Sequence, residues 1–346
     1  MKRKRKKSNV WLKLSILILL VVSGFSYVFY RTLVKTVPGE REIFVTIEKN
    51  SSIRHIVKTL NKYGIFEPDW LFVPLAKIYM ELTGSKVYIG KYRFTPENTN
   101  LDILRAMFSG KQLSIVKVVF PEGIQLTDFA SIAKRKLNID SSEFIKLCYD
   151  ESIIKANQIP SNSIEGYLMP DTYEFFWEEK PINVINRLLQ EHQRVWQSNF
   201  SEGAKKSGYT KHQILTLASI IEAETRVPDE RARVSGVYHN RLRLNWNLES
   251  DPTVQYAIGK RKRLTYTDLE LKNPYNTYIY KGLPPGPINS PSKSSIFAAL
   301  NPEQHNYLFF VAVGDDSGAH KFSTNYNQHL RFKSQFKKNQ RNDSAE

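Results

Sequence analysis

Residues 10–30 form an apolar run broken by one charge, Lys13, with an uninterrupted hydrocarbon stretch over 16–22. About 20 helical residues at ~1.5 Å rise cover the hydrocarbon thickness of a bilayer, so the run predicts a membrane-spanning helix. Six basic residues, Lys2, Arg3, Lys4, Arg5, Lys6 and Lys7, precede it. The positive-inside rule then keeps this tail, residues 1–9, in the cytoplasm and sends everything from Arg31 onward outside. A cleaved signal peptide is the competing reading, but residues 26–36 are aromatic and basic and offer no small-x-small cleavage site. A lipid-anchored protein would need a cysteine there, and the chain's single cysteine is Cys148.

With 346 residues, 41% of them apolar, the chain can build two modest domains behind such an anchor. Fifty Lys and Arg against 34 Asp and Glu give a net charge of +16, which suits anionic partners. Part of that excess sits in residues 2–7 and part in a C-terminal tail with Arg331, Lys333, Lys337, Lys338 and Arg341. A uniformly basic nucleic-acid-binding domain is therefore not indicated, and an ectodomain outside the cytoplasm would not meet nucleic acid. One cysteine permits neither an intramolecular disulfide nor a thiolate metal cluster. Cys148 is expected to be a small buried hydrophobe in a helix over 142–150.

Residues 43–47 alternate like a strand, and 51–63 read as a helix with a Ser cap and Ile53, Ile56, Val57 and Leu60 at three- and four-residue spacing. A helix over 70–82 and a strand over 90–94 complete a strand-helix-helix-strand unit. A helix over 100–108 stops at Ser109 and Gly110, and a strand over 116–120 enters the turn Pro121-Glu122-Gly123. Helices over 125–137 and 142–150 are followed by a polar-aromatic loop, 164–176, and a long helix over 184–200. Three further polar-aromatic clusters, 238–241, 251–256 and 273–290, read as loops that offer donors, acceptors and flat faces to a hydroxyl-rich ligand.

Residues 211–226 (KHQILTLASIIEAETR) predict a helix whose apolar stripe is Ile214, Leu217, Ala218 and Ile221, flanked by Ile220. At 100° per residue Glu224 falls inside that stripe, and Glu222 near its opposite border. A carboxylate among apolar neighbours loses hydration and holds its proton to higher pH, as a general acid must. This nominates Glu224. The competing role is a buried ion pair with Arg226, Arg231, Arg233 or Arg241, because a buried acid is costly unless paired. Other chemistries find no support: HExxH, GxSxG, P-loop and GxGxxG signatures are missing, and the histidines show no ligand spacing. His320 and His329 would at most shape a rim.

Taken in order, GKYRFTP at 90–96, PEG at 121–123, EGYLMPDTY at 165–173, LASIIEAET at 217–225, NRL at 240–242, DPTV at 251–254, YNTY at 275–278 and GLPPG at 282–286 resemble the YceG-like family of membrane-bound endolytic murein transglycosylases. The resemblance implies an α+β chain: a transmembrane helix at 10–30, a small LysM-like domain at 42–98, a mixed α/β catalytic domain at 99–335 with its glutamate on a helix, and a basic tail at 336–346. The family's catalytic acid is the second of its E-x-E-T motif, which falls on Glu224. Glu222, Thr225, Asn240, Asp251, Thr253, Asn276 and Tyr278 stand in the matching motifs and, with Tyr256 just beyond DPTV, are expected to face substrate.

The reaction implied is non-hydrolytic cleavage of the β-1,4 bond between N-acetylmuramic acid and N-acetylglucosamine, leaving a 1,6-anhydro end and calling for no metal or cofactor. Peptidoglycan strands and the membrane would be the partners. An anchor that keeps the site near the membrane adds proteins of cell-wall synthesis. The alternative function is a non-catalytic, membrane-anchored wall-binding protein in which Glu224 is structural.

Overall fold

In the computed structural model, residues 10–48, 51–111, 113–315 and 317–343 are described, and the basic run at 2–7 lies outside them. Helix α1 spans Val10–Leu33. Its stretch Trp11–Leu33 is long and apolar enough to cross a membrane, and its apolar window is buried against no part of the protein. The chain divides into two compact units, residues 1–116 with 176–178, and residues 117–175 with 179–346.

In the first unit β1 (Ile43–Ile47) and β2 (Gly90–Phe94) pair antiparallel, with Ile43 opposite Phe94 and Ile47 opposite Gly90. Alternation along each strand puts Val45, Ile47, Tyr92 and Phe94 on one buried face. Helices α2 (Ile53–Asn61), α3 (Asp69–Thr83) and α4 (Asn100–Ser109) supply the rest of that core through residues such as Leu60, Phe72, Ile103 and Met107. Ser52 accepts a hydrogen bond from the His55 amide, and Thr99 and Asp102 cap α4 reciprocally. The strand-helix-helix-strand order expected from periodicity is the one found.

The second unit, which takes its first strand from Lys117 and its second up to Phe175, is mostly helical. In order come β3 (Ile115–Val119), α5 (Leu126–Leu137), α6 (Ser141–Cys148), α7 (Glu151–Ala156), β4 (Thr172–Phe176), α8 (Pro181–Asn199) and α9 (Ser201–Ser207). They are followed by α10 (Lys211–Glu224), α11 (Arg231–Arg243), α12 (Asp251–Ile258), α13 (Tyr266–Leu269), α14 (Lys293–Leu300), β5 (Phe309–Ala312), β6 (His320–Ser323) and α15 (Tyr326–Asp343). β3 pairs with β4, and β5 runs antiparallel to β6 with Phe309 opposite Ser323. Helix α10 is the axis: every residue from Ile214 to Ile221 is buried, and α9, α11, α12 and α14 pack around it. A helix with no polar face through its middle has to be enclosed in this way.

The structure departs from the expected elements at several points. Residues 238–241 and 251–256 are helical, not loops: Asp251-Pro252 starts a helix with proline in its first turn, and the polar side chains find partners such as the Glu224 carboxyl, the Tyr278 hydroxyl and nearby carbonyls. The end of the expected loop at 164–176 is strand β4. Helix α10 stops at Glu224 rather than 226, since Thr225 is extended (φ −134°, ψ 136°) ahead of Pro228. Its buried surface wraps all round rather than forming one stripe. Cys148 is buried, as expected.

Glu165 is a buried acid in the turn before β4. Its Oε2 accepts a 3.4 Å hydrogen bond from the Leu126 amide, and among the described residues Oε1 has no partner. Burial pushes its pKa up to about 8. The folded state thus keeps a proton that the unfolded chain releases near the ordinary carboxylate value of 4.5. This contribution to stability is complete below pH 4.5 and is lost as pH rises toward 8. The slope is roughly 1.4 kcal/mol per pH unit. Glu165→Gln should flatten that decline, which thermal unfolding of the full chain in detergent micelles from pH 4.5 to 9 would measure.

Candidate active site

The last turn of α10 carries two carboxylates that meet different surroundings. Thr210 and Gln213 close a reciprocal capping box at the start of the helix, which fixes its register. At its end Glu222 is almost fully enclosed, with only 8% of its side chain exposed. Arg231 reaches its Oε1 at 3.3 Å, and the Ser292 amide and hydroxyl both donate to Oε2, the amide at 2.9 Å. Ser292 is the N-cap of α14, so Glu222 ties the end of α10 to the positive end of a neighbouring helix. Gly123 of the PEG turn lies against this pair: a Cβ there would sit 3.3 Å from Glu222 Cγ, at a φ of +71° that also favours glycine. Burial and the Glu222 charge raise the pKa of the adjacent Glu122.

Glu224 has different partners. The Tyr238 hydroxyl donates to its Oε1 at 2.7 Å and the Ser250 hydroxyl donates to the same oxygen at 2.5 Å. Among the described residues no donor reaches Oε2, and no arginine lies within ion-pair distance. The four arginines that could have paired with it are otherwise placed: Arg231 on Glu222, Arg233 on Glu303, Arg241 on Glu249, and Arg226 exposed. Part of the residue still touches solvent, but protein crowds the carboxyl. That desolvation raises the Glu224 pKa, the two hydroxyl hydrogen bonds pull it back, and Asp251 pushes it up again. His320, hydrogen-bonded through Nδ1 to Glu230 at 2.7 Å, adds a smaller lowering influence.

The structure brings some of the expected site residues together and turns others inward. Asp251 and Tyr278 stand beside Glu224, joined by a 2.6 Å hydrogen bond from the tyrosine hydroxyl to Asp251 Oδ1. Thr253 is buried: its Oγ1 donates to the Ser250 carbonyl at 2.7 Å and lies 2.9 Å from Thr277 Oγ1, which accepts from the Ser250 amide. Asn276 is buried and donates to the Leu269 and Leu271 carbonyls while its Oδ1 accepts from the Tyr278 amide. Asn240 donates to the His305 and Tyr307 carbonyls. In each of these three the side chain holds backbone groups of neighbouring segments in place. Thr225 is a buried helix stop whose Oγ1 accepts from the Val227 amide. Tyr256 packs on Tyr275 with ring centroids 4.8 Å apart, in the surroundings of Glu165.

Two residues of the site carried no role in the sequence reading. Tyr238 was visible only as part of a polar-aromatic cluster, and Ser250 not at all. Ser250 has one sequence signal, its place before Asp-Pro, which reads as a helix N-cap. Yet its side chain makes no capping hydrogen bond to α12 and serves Glu224 instead.

Removing Arg231 alone would leave Glu222 buried and uncompensated. Arg231→Met is expected to destabilise the protein by about 3 kcal/mol, and Arg231→Met with Glu222→Gln to recover most of that loss, as read by thermal unfolding of the two proteins.

Comparison with known proteins adds the context for this geometry. The YceG-like family profile matches residues 45–335. A protein of Bacillus subtilis named endolytic murein transglycosylase is 28% identical over 334 residues, covering 91% of both chains. A second protein of that name from Streptococcus pneumoniae is 27% identical over 323 residues, and the alignment spans 57% of its length and 84% of this chain. A crystal structure of a YceG-like protein from Listeria monocytogenes superposes with a TM-score of 0.59 at 30% identity, covering 85% of this chain and 99% of that one. With nearly all of its residues beyond the apolar helix matched, the chain belongs to the YceG-like family.

Proposed function

We propose that this protein is a membrane-anchored endolytic murein transglycosylase with Glu224 as its acid and base. The observation that carries the reading is a carboxyl enclosed by protein with two neutral hydroxyls, and among the described residues no cation, as its partners. A structural ion pair would give Glu224 the kind of partner that Arg231 gives Glu222.

The chemistry follows from that arrangement. Burial keeps Glu224 protonated to higher pH than an ordinary carboxylate, and both hydroxyls hold Oε1, so the transferable proton resides on Oε2. Donation of that proton to the glycosidic oxygen lets the C1–O bond break, its electron pair leaving with the N-acetylglucosamine oxygen. Glu224, now a carboxylate steadied by Tyr238 and Ser250, takes the proton of the muramoyl 6-hydroxyl as that oxygen bonds to C1. The product carries a 1,6-anhydro ring, and the carboxyl returns to its protonated form. Because the nucleophile belongs to the sugar ring, proximity replaces the water that a hydrolase must activate.

In this reading α1 is a single-pass anchor in the cytoplasmic membrane with the N-terminus inside and the catalytic unit outside. Residues 42–98 form a LysM-like module, 99–335 the catalytic domain and 336–346 a basic tail. Nascent glycan strands are the substrate, and cleavage near the membrane ends their elongation. Cell-wall synthesis proteins are the partners such a position favours.

Incubating the full chain in micelles with purified peptidoglycan should release fragments ending in 1,6-anhydromuramic acid by mass spectrometry. Glu224→Gln, which keeps the shape and loses the proton, should cut the rate by at least about 1000-fold. Glycan that both proteins bind and neither cleaves would favour the wall-binding alternative, and reducing muramic ends would make water the acceptor. The wild-type kcat/KM should also fall on the alkaline side as Glu224 loses its proton, above the pH at which an ordinary carboxyl ionises.

A further inference from the structure

A glycosidic bond that breaks at C1 places positive charge on the sugar ring, and glycoside-cleaving sites commonly hold a second carboxylate to meet it. Helix α10 offers none for this purpose, because Glu222 is consumed by Arg231 and Ser292. The structure holds another candidate beside Glu224. Asp251 directly follows Ser250, the residue whose hydroxyl holds Glu224, and its side chain is exposed rather than enclosed. Among the described residues no cation pairs with it, and its one hydrogen bond comes from the Tyr278 hydroxyl at 2.6 Å. That phenol is fixed in turn: Asn247 donates to the Tyr278 carbonyl, and the Tyr278 amide donates to Asn276 Oδ1 at 3.0 Å. Tyr278 feels the charge of both acids, which places Asp251, Tyr278 and Glu224 in one electrostatic neighbourhood.

The start of a helix suits an acid through the helix dipole alone. That accounts for a negative residue at the first position of α12. It does not account for a tyrosine from a separate loop, braced by two asparagines, that orients one oxygen and leaves the other open. We propose that Asp251, oriented by Tyr278, is the second acid of the site, a catalytic residue whose negative charge faces the reacting sugar and stabilises the positive charge that develops on the muramoyl ring. The inference rests on the reading of Glu224 as the proton donor. It assigns two carboxyls opposite duties: Glu224, enclosed and neutral, gives a proton, and Asp251, open to solvent, supplies charge.

Asp251→Asn is the direct test, because the amide keeps the volume and an oxygen for Tyr278 while removing the charge. The groups that face Glu224 are Tyr238 from α11, Ser250 and Asp251 at the start of α12, Tyr278 from its loop, and His320 from β6 with Glu230 behind it. Of these, Asp251 is the one whose negative charge raises the Glu224 pKa. With the full chain in micelles and purified peptidoglycan, Asp251→Asn should lower kcat on the order of 100-fold with little change in KM. It should also move the alkaline limb of kcat/KM to lower pH. Tyr278→Phe, which frees the carboxylate without discharging it, should lose roughly tenfold and leave that limb nearly in place. Wild-type kcat in Asp251→Asn, or a loss of rate with an unmoved limb and a lowered melting temperature, overturns this inference and leaves the role of Glu224 intact. A wild type that cleaves nothing overturns both.

Discussion

Glu222 binds the end of α10 to Arg231 and to the N-terminus of α14, and the positions of the other groups in the site follow from that tie. The helix is buried through its middle, and its last turn carries the two carboxylates. The ion pair sets the direction of that turn and absorbs the nearest cation. Glu224, two residues on, is left with hydroxyls as partners. Burial and hydroxyl donors act on its acidity in opposite senses. An acid raised by burial alone would hold its proton too firmly to act as a base, and one stabilised by an arginine would never carry a proton at neutral pH.

Behind the hydroxyls stands a scaffold that is mostly backbone held by side chains. Arg241, packed against the rings of Trp246 and Phe309, donates to the Leu308 carbonyl at 2.8 Å and to the Leu248 carbonyl at 2.7 Å. It thereby joins α11 to β5 and to the segment that delivers Ser250. Thr253 and Thr277 hold the Ser250 backbone, and Asn276 holds the loop that carries Thr277 and Tyr278. Ser250 forgoes the capping bond worth about 1 kcal/mol that a serine at a helix start usually makes. That concession is local evidence that Ser250 is placed for Glu224 rather than for α12.

Much of the fold was legible. The apolar run at 10–30 lies within α1, the strands at 43–47 and 90–94 carry the boundaries that alternation gave, and the capped helices of the first unit start within two residues of their signals. The failures share a cause. Residues 238–241 and 251–256 looked like loops because they are polar, yet most of their polar side chains find carboxyl, carbonyl or hydroxyl partners that the fold supplies. Hydropathy registers the polarity without registering the partner.

Sequence by itself determined the long apolar helix, the secondary structure of the first unit, the family and the nomination of Glu224. All of these rest on composition, on local periodicity or on motifs read in order. It did not determine which partners distinguish Glu224 from Glu222, and it left the choice between them to helix geometry. The apolar stripe invoked for that choice is not one-sided, since α10 is enclosed all round. Tertiary structure set those partners by bringing Tyr238 from 14 residues away and Ser250 from 26 residues away onto one oxygen of Glu224, while sending Arg231 to Glu222. A carboxyl's acidity is set by what lies within a few ångströms of it, and those neighbours are brought there by the fold rather than by adjacency along the chain.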